Sequence, residues 1–434
     1  MTTLQDILDP QIDRSFKGFP HTSPALRRSQ IAAQHWRVLD GDLPLPVALV
    51  KQQALQHNLS WMQRFATDRG IDMAPHGKTT MSPQLLKRQL DAGAWGLTFA
   101  TVAQLRAGVS AGARRCMIAN QVFTAVDLAG IQDMQREYEG LRIAFLVDSV
   151  AQLELIEAWY LLHKDKDAQS PVRPFEVLLE IGVEGGRTGC RSQHDALTLA
   201  RRIHDSPACR LVGIECYEGL GATGQSDPDE AYAGALMQRV CDIAIACDQQ
   251  HFFDNEEVLV SAGGSAIFDL VANRLKPELS QPVRGLLRSG CYVTHDHGFY
   301  KRMVSTVNSR LGCGDGLQAA LEVWAAVQSC PEPGLAILAV GKRDISYDLD
   351  LPVPLGFCKP GDRAVTGAPA DWKIGGLNDQ HAYLRGAGPE HAALRVGDLV
   401  ALGISHPCTT FDKWRWMPVV DENYTVCDAL VTCF

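Results

Sequence analysis

Between about residues 45 and 300, short apolar runs alternate with stretches of helical spacing, the pattern of βα units that build a parallel sheet. Strands are predicted at 72–74, 96–100, 116–118, 143–147, 177–181, 212–215, 258–260 and 285–287. Helical stretches lie between them, for example 83–90, opened by Ser82 as N-cap with Pro83 at the first helical position. Eight βα units in roughly 250 residues match the size of a (β/α)8 barrel of the TIM type. A doubly wound open sheet is the alternative, and both architectures place reactive residues at the C-terminal ends of strands.

After residue 300 the texture changes to short β-like runs with turn residues, at 322–327, 334–340 and 398–402. A second, mostly β C-terminal domain is therefore expected. The predicted organisation is an N-terminal segment at 1–45 packing on that domain, a barrel at 46–300 and the β domain at 301–434. Repeats, low-complexity tracts and long linkers are not seen, so the two parts are expected to pack tightly.

The chain has 434 residues, 46% hydrophobic and 21% charged, ordinary values for a globular enzyme with a large core. Its formal charge of −9 argues against nucleic acid, whose binders need a basic face. The opening residues carry no basic stretch followed by an apolar run and no window suits a spanning helix, so a cytoplasmic protein without a membrane partner is expected. Thirteen cysteines, an odd number without a tight framework, point to reduced thiols.

The candidate chemistry gathers at predicted strand ends. Lys78, in Pro75-His76-Gly77-Lys78-Thr79, follows the first strand and precedes a helix, which projects its amine from the barrel rim; a solvated surface lysine is the plainer reading. Two glycine-containing turns follow late strands, Gly263-Gly264-Ser265 and Arg288-Ser289-Gly290-Cys291, where barrels commonly bind phosphate through backbone N–H groups. Arg187 sits on a glycine-rich rim loop at 180–189 and suits an anionic oxygen or a structural ion pair. Near the C-terminus, His406-Pro407-Cys408 places an imidazole and a thiol two residues apart. In an extended strand that spacing puts both on one face, where they can ligate one Zn²⁺; a chance spacing is the plainer reading.

Together these motifs resemble the D-serine dehydratase and D-threonine aldolase family of fold-type III, alanine-racemase-like pyridoxal-phosphate enzymes, over nearly the whole chain. The resemblance implies that Lys78 carries the cofactor and that Arg187 contacts its phenolic oxygen. It also implies that Gly263, Gly264, Ser265, Gly290 and Cys291 hold its phosphate and that Tyr217 contacts its ring. Arg288 is expected to face the pyridine nitrogen, as an arginine does in the related alanine racemases. His406 and Cys408, followed by Phe411-Asp412-Lys413-Trp414, resemble the dehydratase form of the metal motif; aldolase relatives carry aspartate at the second donor. His381 resembles a family histidine near the metal, as a proton relay or ligand-orienting group, with a structural histidine as the alternative. A head-to-tail homodimer is implied as well.

The departures are Gly77 where many relatives have valine, Leu220 where aldolases show histidine, and Tyr292-Val293-Thr294-His295-Asp296 in place of a more aromatic run. The expected reaction is removal of the α-proton of a small D-amino acid by Lys78, with Zn²⁺ or another divalent metal drawing off the β-hydroxyl. D-serine would then give pyruvate and ammonia. A D-threonine aldolase, a racemase on the same scaffold and a non-catalytic cofactor carrier are the competing readings. The carrier is disfavoured by the extra C-terminal domain with its His-x-Cys pair, and the racemase by the lack of an identified second base.

Overall fold

The computed structural model of the chain describes residues 3–165 and 171–434. Strand β1 (Val47–Lys51) leads into helix α1 (Gln52–Thr67), and β2 (Asp72–Met73) is followed by α2 (Pro83–Asp91). Then come β3 (Leu97–Phe99), β4 (Arg115–Gln121), β5 (Arg142–Val147), β6 (Phe175–Ile181), β7 (Cys209–Cys216), β8 (Val258–Ala262) and β9 (Val283–Leu287). Strands β2 to β9 form one parallel eight-stranded sheet. It is closed where β9 pairs with β2 at Leu287↔Met73 and where a bridge joins His76 to Thr98. This is the (β/α)8 barrel, and all eight predicted strands are in it.

Parallel strands covered on both faces read as unbroken apolar runs, and Ile143–Val147 is buried at every position. The barrel interior is plugged by Ala74, Met117, Ala144, Leu146, Leu178, Val212, Leu259 and Leu286, while a larger cluster fills the space between strands and outer helices. Helix α2 forms where expected with Pro83 in its first turn, but Ser82 does not cap it. That hydroxyl is buried and donates instead to the Gln84 side chain at 3.1 Å.

Helix α3 (Phe299–Leu311) leaves the barrel for the β domain, built on β10 (Leu321–Glu332), β11 (Leu399–Gly403), β12 (Trp416–Val420) and β13 (Val426–Val431). Its sheet is mostly antiparallel, with β10 between β11 and β1 over Glu322–Trp324. Strand β1, inside the range expected for the barrel, thus belongs to the β-domain sheet and also pairs with β12 at Val419↔Val50. Much of the segment before β1 packs on the same domain, where Ile12, Phe19, Ile31, Val38 and Leu39 share a core with Trp324, Trp416 and Val420, while the Ile7 and Leu8 carbonyls accept from Gln84 of barrel helix α2. Among the described residues no helix is long and apolar enough to cross a membrane.

Candidate active site

The C-terminal ends of the barrel strands open into a cavity of about 280 Å³, and residues 406 and 408 of the β domain cover part of it. The expected site residues Lys78, Arg187, Tyr217, Gly263, Gly264, Ser265, Arg288, Gly290, Cys291, His406 and Cys408 all line this space. His381 does not. It occupies the turn between strands Lys373–Leu377 and Ala382–Arg385, where its carbonyl accepts from the Asn378 N–H.

Lys78 sits in a single 3₁₀ turn, Gly77–Thr79, directly after the first barrel strand. Gly77 explains its own identity, because a Cβ there would stand 2.4 Å from the Phe99 ring. The backbone must run this close to Phe99 to aim residue 78 over the barrel mouth. Lys78 has no hydrogen-bond or ion-pair partner among the described residues, so its amine is available to a ligand.

Across the mouth, the turn after β8 is held by a buried carboxylate. Glu218 accepts from the N–H groups of Gly263 at 3.0 Å and Gly264 at 2.5 Å. Those two amides are therefore occupied, and the phosphate expectation for them shifts to their neighbours. The amides of Ser265, Gly290 and Cys291 have no backbone partner. At Gly290 a Cβ would lie 2.5 Å from the His76 carbonyl oxygen and 2.6 Å from Thr79 Oγ1. This glycine lets the last-strand turn sit against the Lys78 turn. A lysine amine facing unpaired amides across a closed-bottomed cavity has the shape and donor chemistry for an aldehyde that carries a phosphate. The residues present fit pyridoxal phosphate.

The cavity floor holds a buried ion pair, Arg288 Nη2 to Glu215 Oε2 at 2.5 Å, and the same nitrogen donates to the Cys216 carbonyl at 2.7 Å. Burial pushes the Glu215 carboxyl up to about 8 against the pull of Arg288. Arg187 lies over the Tyr217 ring, 5.2 Å from its centroid. His76, half-buried in the cavity wall beside Lys78, has an unpartnered Nδ1, and desolvation, then the charges of Lys78 and Arg288, hold its ring neutral.

The β domain supplies the remaining wall. His406 and Cys408 come together through a turn rather than an extended strand: Pro407 is helical and Cys408 opens the short helix Cys408–Phe411. His406 Nδ1 is bound to Asp348 Oδ2 at 2.6 Å, which directs its other nitrogen toward the cavity side, and Thr409 Oγ1 donates to Asp348 Oδ1. Burial opposes charge on His406, but Cys408 and Asp348 lift its pKa to about 9. Cys291, then His406, hold the Cys408 thiol well below its usual range. A carboxylate-oriented imidazole beside a thiolate is a soft two-donor set suited to Zn²⁺, with the carboxylate as its outer support. No cluster of three or more His, Cys, Asp or Glu side chains is assembled for a metal among the described residues.

Sequence reasoning passed over Tyr300, Glu215, Asp348, Glu218 and Asn120. Tyr300, at the start of α3, faces the same cavity, and Cys291 followed by burial pushes its phenol above the usual range. The only hint of it in the sequence was its place just after the altered run at 292–296.

Known proteins share both halves of this architecture. The model for the alanine racemase N-terminal domain matches residues 50–282, and one described as "Putative serine dehydratase domain" matches 320–420. A D-threonine aldolase from Arthrobacter is 24% identical over 390 residues, covering 87% of this chain and 89% of the relative. The crystal structure of D-threonine aldolase from Filomicrobium marinum superposes with a TM-score of 0.73 at 22% identity, covering 90% of this chain and 95% of that one. A D-threo-3-hydroxyaspartate dehydratase mutant with cysteine changed to alanine, described as the metal-free form, gives 0.68 at 22% identity, covering 92% and 99%.

Proposed function

Since this chain belongs to the alanine-racemase-like family of fold-type III pyridoxal-phosphate enzymes, we propose that it is a D-3-hydroxy-amino-acid lyase that dehydrates and deaminates D-serine or a close analogue. The observation that carries this reading is the placement of Lys78 and the His406–Cys408 pair on the walls of one cavity, one from each domain. Relatives named as a D-threonine aldolase and a D-threo-3-hydroxyaspartate dehydratase support the lyase class.

In this reading Lys78 would hold the cofactor through its aldehyde, the amides of Ser265, Gly290 and Cys291 would hold its phosphate, and Arg187 and Arg288 would supply positive charge to its phenolic oxygen and ring nitrogen. When bound, pyridoxal phosphate supplies a sink for negative charge at Cα, and a divalent metal on His406 and Cys408 supplies a Lewis acid at the β-oxygen. Lys78, its amine freed when the substrate's amine takes its place, would take the proton from Cα. Arg288, fixed from behind by Glu215, keeps a positive charge at the cavity floor. Asp348 would fix the orientation of the His406 ring, so that its inward nitrogen would give up its proton to bind a metal. Tyr300 and Cys408 narrow the mouth and restrict water. With the β-hydroxyl and the α-proton lost, the product hydrolyses to a keto acid and ammonia.

A thiol at the second donor position, where aldolase relatives carry aspartate, favours dehydration over retro-aldol cleavage. So does the neighbour whose cysteine-to-alanine mutant is described as metal-free. Purified protein loaded with pyridoxal phosphate and Zn²⁺ should form pyruvate from D-serine, and chelation should abolish it. Glycine and acetaldehyde from D-threonine as the only products would instead make the chain an aldolase.

A further inference from the structure

One contact in the cavity wall belongs neither to cofactor nor to substrate binding. The sulfurs of Cys291 and Cys408 lie 3.7 Å apart, unbonded, although the residues are 117 positions apart in the chain. Cys291 comes from the turn after the last barrel strand and Cys408 from the first residue of a helical turn in the β domain. No other pair of cysteine sulfurs is in contact among the described residues. The Thr79 hydroxyl stands 3.5 Å from the Cys408 sulfur and 3.9 Å from that of Cys291, so the two thiols and one hydroxyl form a cluster at the seam. Both thiols line the cavity and can be reached by any small molecule that enters it.

We propose that Cys291 and Cys408 form an oxidation site, closing to a reversible disulfide that straps the barrel to the β domain when a peroxide enters the cavity. The Cys408 sulfur attacks one peroxide oxygen, the O–O bond breaks, and water leaves, giving a sulfenic acid on Cys408. The Cys291 sulfur then attacks that sulfur; the S–S bond forms, the S–O bond breaks, and the hydroxyl departs as water with the Cys291 proton. Two thiols lose two electrons in all, and one hydrogen peroxide becomes two waters. A disulfide needs its sulfurs about 2.05 Å apart, so the pair must close by roughly 1.6 Å, within reach of side-chain rotation. Exposed Cys330 and Cys433 have no thiol beside them and yield no intrachain link. The consequence for catalysis rests on the proposed function: a sulfur bonded to carbon and sulfur is no longer a thiolate donor, so strap and metal exclude each other.

The test uses the full-length protein, stripped of metal by a chelator, treated with one equivalent of hydrogen peroxide and blocked with an alkylating agent. Mass spectrometry of the digest should show the 291–408 peptide pair linked and two hydrogens lighter, released by dithiothreitol. Titration in denaturant of a parallel sample, oxidised but not alkylated, should find 11 free thiols where the untreated chain has 13. In Cys291→Ala, or Cys291→Ser where alanine folds poorly, the link should vanish and the Cys408 sulfenic acid should be trapped by a 1,3-diketone probe. Oxidation of Cys408 to sulfinic acid in the unsubstituted chain without a linked peptide overturns the proposal. Adding Zn²⁺ before peroxide should slow linkage at least tenfold. Linkage that forms equally fast with Zn²⁺ supports the strap and instead removes Cys408 from the metal site, which separates the two failures.

Discussion

The two walls of the cavity are built by different means. On the barrel side the active positions follow from backbone. Lys78 is aimed by a turn pressed on Phe99, Gly290 lies against His76 with no room for a Cβ, and Glu218 clamps two successive amides. On the β-domain side the positions depend on side chains: His406 is steered by Asp348, and Cys408 is presented by a four-residue helix. A wall fixed by backbone keeps its shape when one functional side chain is removed, whereas a wall fixed by side chains changes with each partner. The barrel wall should therefore lose function at one residue and keep its shape, and the other wall should lose geometry in steps.

Exchange of the two central side chains gives the sharpest contrast. Lys78→Ala should abolish the visible absorbance of lysine-bound cofactor and reduce keto-acid formation by ~10³-fold or more, the size of effect expected for a positioned base, while bound metal measured by atomic absorption stays unchanged. Cys408→Ala should do the opposite, keeping the absorbance and losing the metal, with dehydration falling by ~10²-fold or more because the Lewis acid is gone. If either variant lost both cofactor and metal, the two walls would not be independent.

A smaller effect tests the side-chain support. Asp348→Asn keeps the shape and removes the negative charge that orients the His406 ring, so metal affinity should fall about 10–100-fold. Cofactor binding, followed by fluorescence titration, should not change. An unaltered metal affinity would mean that His406 is oriented by something other than Asp348.

The seam itself should respond to acid. His295 and His297 lie between β9 and α3, and the His297 N–H donates to the Ile404 carbonyl at 2.9 Å while its ring packs on Gly403. Burial, then the charge of Lys301, lowers them to about 4 and about 3. The folded chain thus holds both rings neutral where the unfolded chain protonates them. Their contribution is present above pH ~6.5 and is lost as pH falls toward the folded values, by up to ~1.4 kcal/mol per pH unit for each ring. Urea denaturation at pH 7, 6 and 5 should show stability falling with pH, and His297→Gln should reduce that slope by up to ~1.4 kcal/mol per pH unit, the share of one ring.

The same division decides what was legible in the sequence. Barrel strands buried on both faces announce themselves as continuous apolar runs, and the glycines at 77, 263 and 290 mark where a turn passes too close to its neighbours for a Cβ: the Phe99 ring, the Leu287 side chain and the His76 carbonyl. Hence Lys78 and the late-strand turns lay at readable positions. Glu218 gave no such signal, since a polar residue after a strand is common, and only the fold shows that it takes the Gly263 and Gly264 amides. Asp348 and Tyr300 reach the site through tertiary packing that has no period in the chain. His406 and Cys408 were visible as a spacing, but the strand geometry inferred for them was wrong because Pro407 turns the chain helically. His381 matched a motif, yet the turn that carries it lies away from this chain's cavity wall.

Strand β1 sits at the start of the barrel segment in sequence and in the middle of the other domain in space, hydrogen-bonded to β10 and β12. The barrel is thus an insertion between two pieces of one sheet. During synthesis every barrel strand leaves the ribosome before β10, β12 and β13 exist, so the barrel can close on its own while β1 and the core positions from Ile12 to Leu43 wait for partners from the far end of the chain. The wall bearing His406 and Cys408 is consequently the last part to arrive, and a nascent chain stalled before β11 holds Lys78 in an open barrel without its opposite wall.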